Sequence, residues 1–372
     1  MNVFERRLLH AVLTRPTAPF HEHYVRAALE HAARRMGLRS RRDRYGNLYV
    51  GYRKGNAPGL ALTAHMDHPG FEVQSAGRTV HATLQGGVDP KHLRGSRVLL
   101  YHDADHREPV TTRPHAVHGR ITAVATRMIE GARRPQVEVE ITCAADVAAR
   151  SWGHFDLPGM ELHGGMLRSK ALDNLLSCVL ILATMARLRR RRAVANLLGV
   201  FTRAEEVGFV GAGGVLRSRI LQPRRPVVVL ETSKALPSAP IGHGPVLRVG
   251  DRMTCFDPGM DLWLADAAAE LATLDPSFTY QRALMTGGAC EASLFMLHGR
   301  RVGALAMPLG NYHNMTTRGG IGPEFVATSD FDKALLLLDH LATHPPQPGI
   351  LQRHRATLDS IFDRLGPRLR SA

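Results

Sequence analysis

The sequence predicts an α/β protein: a sheet with helices on both faces and a small all-β domain inserted into it. Three observations carry that prediction. Short apolar runs alternate with helical stretches in the first 73 residues and again after Gly164-Gly165, the pattern of a sheet covered on both sides. Between them, from about 74 to 161, short β-rich pieces alternate with Gly-, Pro- and His-rich turns and no long amphipathic helix intervenes, the signature of a small all-β unit. The chain has 372 residues, more than one ordinary core of roughly 100–200 residues.

Taken in order, residues 20–36 show helical spacing, with Val25, Ala28, Leu29 and Ala32 on one side. The turn formers Gly46-Asn47 precede a strand over 48–52, and 59–64 is a buried apolar strand ending in His65-Met66-Asp67. The insert offers strands near 80–84, 96–101, 120–126 and 136–142. A long apolar helix follows over 171–188, then a strand over 196–202 and a helix over 207–219. A Val/Leu strand over 226–230, a helix over 261–274, a strand over 302–307 and a helix over 331–341 complete the pattern. The expected organisation is a catalytic α/β domain from 1–73 and 162–345, an all-β insert over 74–161, and a basic amphipathic extension over 346–372.

Composition narrows the function classes. No run of about 18 apolar residues exists, so no membrane span and no membrane partner are expected. The first residues, MNVFERRLLHAVLTRP, lack the uninterrupted apolar core of a secretory leader. Cys143, Cys178, Cys255 and Cys290 lie far apart, without metal-type pairing, and read as reduced thiols of a cytoplasmic protein. The net charge is +15. The excess is mostly arginine spread along the chain, and the densest run, Arg189 to Arg192, reads as a solvated helix end suited to the helix dipole. Nucleic acid is therefore not expected as a partner.

Acidic and histidine residues fall at the ends of apolar strands, the edge where open α/β sheets build their sites. His65 and Asp67 form a His-x-Asp pair, and a carboxylate beside a metal-binding imidazole would orient the ring; a polar turn before Pro69-Gly70 is the plainer alternative. Asp173 opens a helix, where it could cap the amides or bridge two cations. Glu205 and Glu206 follow a buried strand. Adjacent carboxylates there are costly unless a cation offsets them, although a solvated helix start also accepts acids. Glu231 ends the run Val227-Val228-Val229-Leu230, and His313 follows another apolar strand.

These segments, in this order, resemble family 42 of the MH-clan co-catalytic metallopeptidases. That family holds the TET-type, glutamyl and lysyl aminopeptidases, some of which have been called endoglucanases. The likeness runs from His21-Glu22 and Asp43-Arg44-Tyr45-Gly46-Asn47-Leu48 through Ala64-His65-Met66-Asp67 and Gly86-Gly87. It continues through Ala171-Leu172-Asp173-Asn174, Glu205-Glu206-Val207-Gly208 with Gly211-Ala212, and Tyr312-His313. The resemblance implies a mixed-sheet α/β/α metallopeptidase domain with an inserted β-barrel-like domain. It implies two divalent metal ions, zinc first with cobalt and manganese as alternatives. His65 and Glu231 would hold one, Glu206 and His313 the other, and Asp173 would bridge them. Glu205 would be the general base for a metal-bridged water, Asp67 would orient His65, and the Asp173–Asn174 peptide would be cis. It further implies peptide substrates cut at the N-terminus and a homo-oligomer, of dodecameric size in many members.

Three positions depart from the family pattern. Glu231 stands where Asp is usual, His68-Pro69-Gly70 replaces the more typical acidic residue after the first motif, and Gly288-Ala289-Cys290-Glu291 stands where Gly-Gly-Thr-Asp is common. Two other functions remain open at this point. One is an N-deacylase of the same clan, whose mark would be a pocket arginine for a substrate carboxylate. The other is a non-catalytic basic binding protein on the same scaffold. Glycoside hydrolysis is disfavoured, because it normally needs two carboxylates flanking a sugar groove.

Overall fold

The structure, a computed structural model, describes residues 1–102, 115–129 and 135–370. Parts of the expected insert (103–114 and 130–134) and the last two residues of the expected extension lie outside the described residues.

The chain opens with α1 (Val3–Leu13), α2 (His23–Arg35), β1 (Arg39–Arg42), β2 (Leu48–Lys54) and β3 (Gly59–His65). Six strands follow: β4 (Gly70–Val73), β5 (Gly77–Gln85), β6 (Arg97–Tyr101), β7 (Ala116–Arg127), β8 (Gln136–Val147) and β9 (Trp152–Phe155). Then come β10 (Glu161–His163), β11 (Met166–Ser169), α3 (Leu172–Arg190), β12 (Ala195–Thr202), α4 (Val210–Ser218), β13 (Val227–Lys234) and β14 (Val246–Asp251). The chain ends with α5 (Pro258–Leu274), β15 (Gln281–Met285), α6 (Glu291–Leu297), β16 (Val302–Leu309), β17 (Glu324–Ala327), α7 (Thr328–Thr343) and α8 (Ile350–Leu365).

Eight strands form the main sheet in the order β1-β2-β12-β3-β13-β16-β14-β15. Its centre, β12-β3-β13-β16, is parallel, while β1, β2 and β14 join antiparallel to a neighbour. The central strands are continuous apolar runs because both faces are covered. In β13, Val228 and Leu230 enter the large core under α1, α2, α3, α5 and α7, while Val227 and Val229 enter the core under α4 and α6. In β3, Leu60, Leu62 and Ala64 face the first core and Ala61 the second. Alternation along a strand thus sorts side chains between two dry faces.

The insert closes into an antiparallel barrel, β4-β5-β8-β7-β6-β9, around Phe71, Val80, Val98, Ile141 and Phe155. It starts earlier than the sequence pattern suggests: β4 begins at Gly70 and pairs with both β5 and β9. Helix α4 starts at Val210 rather than Val207, because 205–209 is a tight turn in which Phe209 has φ of 60°. The basic tail forms α8, which leaves Leu358 and Phe362 exposed. None of the cysteines is paired. Among the described residues, no helix is long and apolar enough to cross a membrane.

Candidate active site

The carboxyl ends of β3, β12, β13 and β16 converge. His65 ends β3 opposite Thr202 of β12, and Glu231 lies on β13 opposite Ala306 of β16. Asp173 enters from the start of α3, with non-helical angles and a cis peptide to Asn174. His313 follows β16 in a turn where Asn311, His313 and Asn314 all have positive φ.

All the residues that the sequence singled out come together here. Nε2 of His65 lies 3.4 Å from Oδ1 of Asp173, 3.8 Å from Oε2 of Glu231 and 4.0 Å from Oε2 of Glu205. Nε2 of His313 lies 3.5 Å from Oδ2 of Asp173 and 3.2 Å from Oε1 of Glu206. Asp173 therefore shows a different oxygen to each imidazole. Donor atoms of His65, Asp173 and Glu206 lie within 4.8 Å of one another, as do those of His65, Glu205 and Glu231.

Both rings are oriented from behind. Nδ1 of His65 donates to the Asp67 carbonyl at 3.1 Å, and Nδ1 of His313 donates to the Gly87 carbonyl at 2.8 Å. These bonds leave both Nε2 atoms facing the carboxylates, where their lone pairs are open to a cation once the rings are neutral. Gly87 belongs to the β5–β6 connection, so the barrel domain supplies one contact of the site. Gly86 before it has φ of 103°, and a Cβ there would sit 2.9 Å from Pro69.

The carboxylate of Asp67 is 3.5 Å from Nδ1 of His65, but its hydrogen bonds go elsewhere. Its two oxygens accept the amides of Glu205 and Glu206, each at 3.0 Å. It thus fixes the turn that carries both acids, while its main chain orients His65.

Two early motifs brace the same turn. Buried Glu22 accepts the Ala204 amide and pairs with Arg203 at 2.6 Å. Asn47, held by Asp43, accepts the Arg203 amide and donates to the Gly211 carbonyl. Gly211 has no room for a side chain, since a Cβ there would meet the Arg203 main chain at 2.3 Å.

Three contributors escaped the sequence reading. Glu324, fully buried, accepts the amides of Leu172 and Asp173 on one oxygen and of His313 on the other. It ties two distant segments to one point. A lone acid in the strand Glu-Phe-Val-Ala was its one visible signal. At His68, one of the departures, burial and the neighbouring His313 push the pKa down to about 4. Nδ1 of His68 faces the Asp173 carbonyl and its Nε2 faces Oδ1 of Asn314 at 2.9 Å, two acceptors of which a neutral ring can donate to one. Arg248 is 3% exposed and lines the pocket beside Glu231, Ser233, Cys290 and Tyr312. It donates to Ser233 at 3.1 Å, while its Nε has no partner.

The electrostatics describe a cluster short of positive charge. Burial pushes Glu205 well above the carboxylate range, with Glu231 and Glu206 adding repulsion and His65 opposing it. Burial also raises Glu206. Burial opposes ionisation of Asp173 too, but the adjacent imidazoles of His313 and His65 hold it below the ordinary range. Buried oxygens of Asp173, Glu206 and Glu231 have no hydrogen-bond partner. Orphaned buried carboxylate oxygens are costly. Four carboxylates and two imidazoles suit hard to borderline divalent cations, and two such ions would balance four negative charges.

A comparison with known proteins adds identity to this geometry. The profile of the M42 glutamyl aminopeptidase family matches residues 46–319. The chain belongs to this family. A glutamyl aminopeptidase of Lactococcus lactis subsp. cremoris is 29% identical over 193 residues, which is 48% of this chain and 53% of that protein. The match therefore spans about half the length of that relative. The TET aminopeptidase of a marine-sediment Thaumarchaeota archaeon is 17% identical over 94% of this chain and 99% of its own, with a TM-score of 0.77. The TET1 peptidase of Pyrococcus horikoshii, which can assemble into a tetrahedron or a large octahedral shell, is 19% identical over 91% and 99%, with a TM-score of 0.72. At these identities the two structures establish that this M42 chain has the TET peptidase fold.

Proposed function

We propose that this M42 chain is a dinuclear metal-dependent aminopeptidase. The observation that carries the reading is the split of Asp173, one oxygen toward His65 and Glu231, the other toward His313 and Glu206. His65 and Glu231 would hold one divalent ion, His313 and Glu206 the second, and Asp173 both. Zinc is the first candidate, with cobalt and manganese as alternatives, because imidazole and carboxylate donors accept all three. A bound pair of such ions acidifies water and polarises a peptide carbonyl. Glu205 stands beside them, 4.0 Å from Nε2 of His65. It takes the proton of the attacking water and returns it to the leaving amine. Asp67 holds Glu205 and Glu206 at the site through their amides.

Arg248 supports an acidic side chain, aspartate or glutamate, at the substrate's N-terminus. A buried guanidinium with an unused donor favours a carboxylate ligand; of the two acids whose charge acts on it, Glu231 would be taken up by a metal ion and Asp251 is engaged by Met253, Thr254, Cys290 and Ser293. The glutamyl aminopeptidase of Lactococcus lactis is named for this specificity. The same arginine favours a second reading, an N-deacylase that holds the carboxylate of an acylated amino acid. A cytoplasmic homo-oligomer completes the proposal, in keeping with the assemblies of the Pyrococcus horikoshii protein.

Release of p-nitroaniline from glutamyl, leucyl and lysyl substrates, after chelation and then metal restoration, tests these readings. Metal-restored activity, with the glutamyl substrate lowered tenfold or more by Arg248→Met, supports the aminopeptidase. Turnover of N-acetylglutamate, with none of any free-amine substrate, replaces it with the deacylase.

A further inference from the structure

We propose that the amino-terminal edge of the main sheet, opposite the catalytic pole, binds a linear chain of phosphate groups. This edge gathers cations that lie far apart in the sequence. Arg35 ends α2, Arg53 and Lys54 end β2, Arg189 and Arg190 end α3, and Arg192 lies in the turn before β12. Together they line a concavity of about 770 Å³. The one carboxylate on its wall, Glu5, is already paired with Arg187 at 2.8 Å.

A second concavity of about 810 Å³ adjoins it. Arg39 and Arg41 of β1 and Arg225 before β13 line it, and no carboxylate does. Tyr52, Arg53 and Arg189 belong to both walls, so the two form one track with a basic ridge between them. Arg189 crosses that ridge: its guanidinium lies against Gly37, where a Cβ would be 2.9 Å from Nη2. Arg53 in turn adds repulsion at Arg225.

Among the described residues, Arg35, Arg53, Arg189, Arg190 and Arg192 form no ion pair, and Lys54 is held only by the Arg192 carbonyl at 2.8 Å. They are also exposed. A helix end with suitable charge accounts for Arg35, Arg189 and Arg190. It does not account for the cations of β1, β2, the turn before β12 and the segment before β13 that face the same track.

The shape selects among anions. A lone phosphate would engage one concavity, whereas a linear polyanion would engage both and the ridge. Bases of a nucleic acid would need exposed rings to stack on. Tyr52 is buried, its hydroxyl bound to the Leu188 and Ala193 carbonyls, and Phe4 stands only on the wall of the first concavity. Phosphate without bases fits this lining best, and arginine is the side chain suited to it.

The test is fluorescence anisotropy of a labelled linear polyphosphate of about fifteen units with the full chain, at about 50 and 200 mM salt. Orthophosphate and a charge-matched oligothymidylate serve as competitors. The variant Arg53→Ser/Arg189→Ser/Arg225→Ser is compared with Arg217→Ser/Arg355→Ser/Arg364→Ser, which removes equal charge elsewhere. Peptidase activity and thermal melting of each report folding, and the single variant Arg190→Glu gives the same reading if the triple one does not fold. The proposal expects saturable, salt-sensitive binding, weakened tenfold or more by the first variant and less than twofold by the second. Equal losses in both variants overturn it in favour of net charge alone. Absence of saturable binding, or equal competition by orthophosphate, overturns it as well. Equal affinity for the oligonucleotide overturns the choice of ligand in favour of nucleic acid.

Discussion

The parallel strands β3 and β12 carry opposite charge environments at their two ends. At one, His65 lies beside Thr202 and the acids converge; at the other, Gly59 lies beside Asn196 among arginines. The carboxyl end is buried: Asp173 is 4%, Glu231 6% and His313 5% exposed. The amino end is open to water. The difference teaches that burial, rather than the number of charges, makes a cluster depend on a ligand. Solvated arginines repel weakly and are screened. Buried carboxylates with orphaned oxygens need cations or protons to be tolerated at all.

The contrast can be broken by mutation. Glu205→Gln should lower kcat by roughly a hundred- to ten-thousand-fold while folding and metal content stay unchanged; steady-state kinetics beside metal analysis checks this. An activity within threefold of the parent would remove Glu205 from the chemistry.

Next in size is Glu324→Gln. Its amide nitrogen would face a main-chain N–H that the carboxylate now accepts, from Asp173 or His313. Metal affinity should fall about ten- to a hundredfold, the usual consequence of losing such a support, with a stability loss of about 1–3 kcal/mol. Metal titration and denaturant melts read the two effects separately.

A pH series sharpens the same comparison. In the bare cluster, burial alone would lower the pKa of His65 and His313, but the surrounding carboxylates raise both well above the ordinary value of 6.5. Glu205 and Glu206 are raised as well. Cation binding must displace these protons. Affinity should therefore climb as pH rises above 6.5, by about tenfold per unit for each proton displaced. Isothermal titration in two buffers of different ionisation enthalpy counts the protons. Proton-independent binding would contradict the description of the cluster.

The smallest effect belongs to the other end. Arg190→Ser should alter stability by less than about 0.5 kcal/mol and leave peptide hydrolysis unchanged. Thermal melting at low and high salt checks it.

How much of this was readable from sequence follows the same physics. The two-faced strands announced themselves as Val/Leu runs, and the acids and histidines at their ends stood out against them. Asp173, Glu205, Glu206, Glu231, His65 and His313 all meet where the strand ends predicted. Helix α1 carries a capping box, Asn2 with Glu5, that composition alone obscures. Strands β14, β15 and β17 are four to six residues long and flank the periodic segments, so alternation had little length in which to appear. Glu324, His68 and Arg248 gave weak signals because their roles are contacts between segments far apart in the chain. The arginines looked spread along the sequence, and only folding collects them at one edge.

The most direct test of the central claim is metal content per chain after loading and desalting, measured by mass spectrometry for the parent and for Asp173→Asn. The account predicts about two divalent ions in the parent and loss of at least one, together with activity, in the variant. A parent that is fully active with one ion or none, or a variant that keeps both, would contradict the shared-carboxylate site.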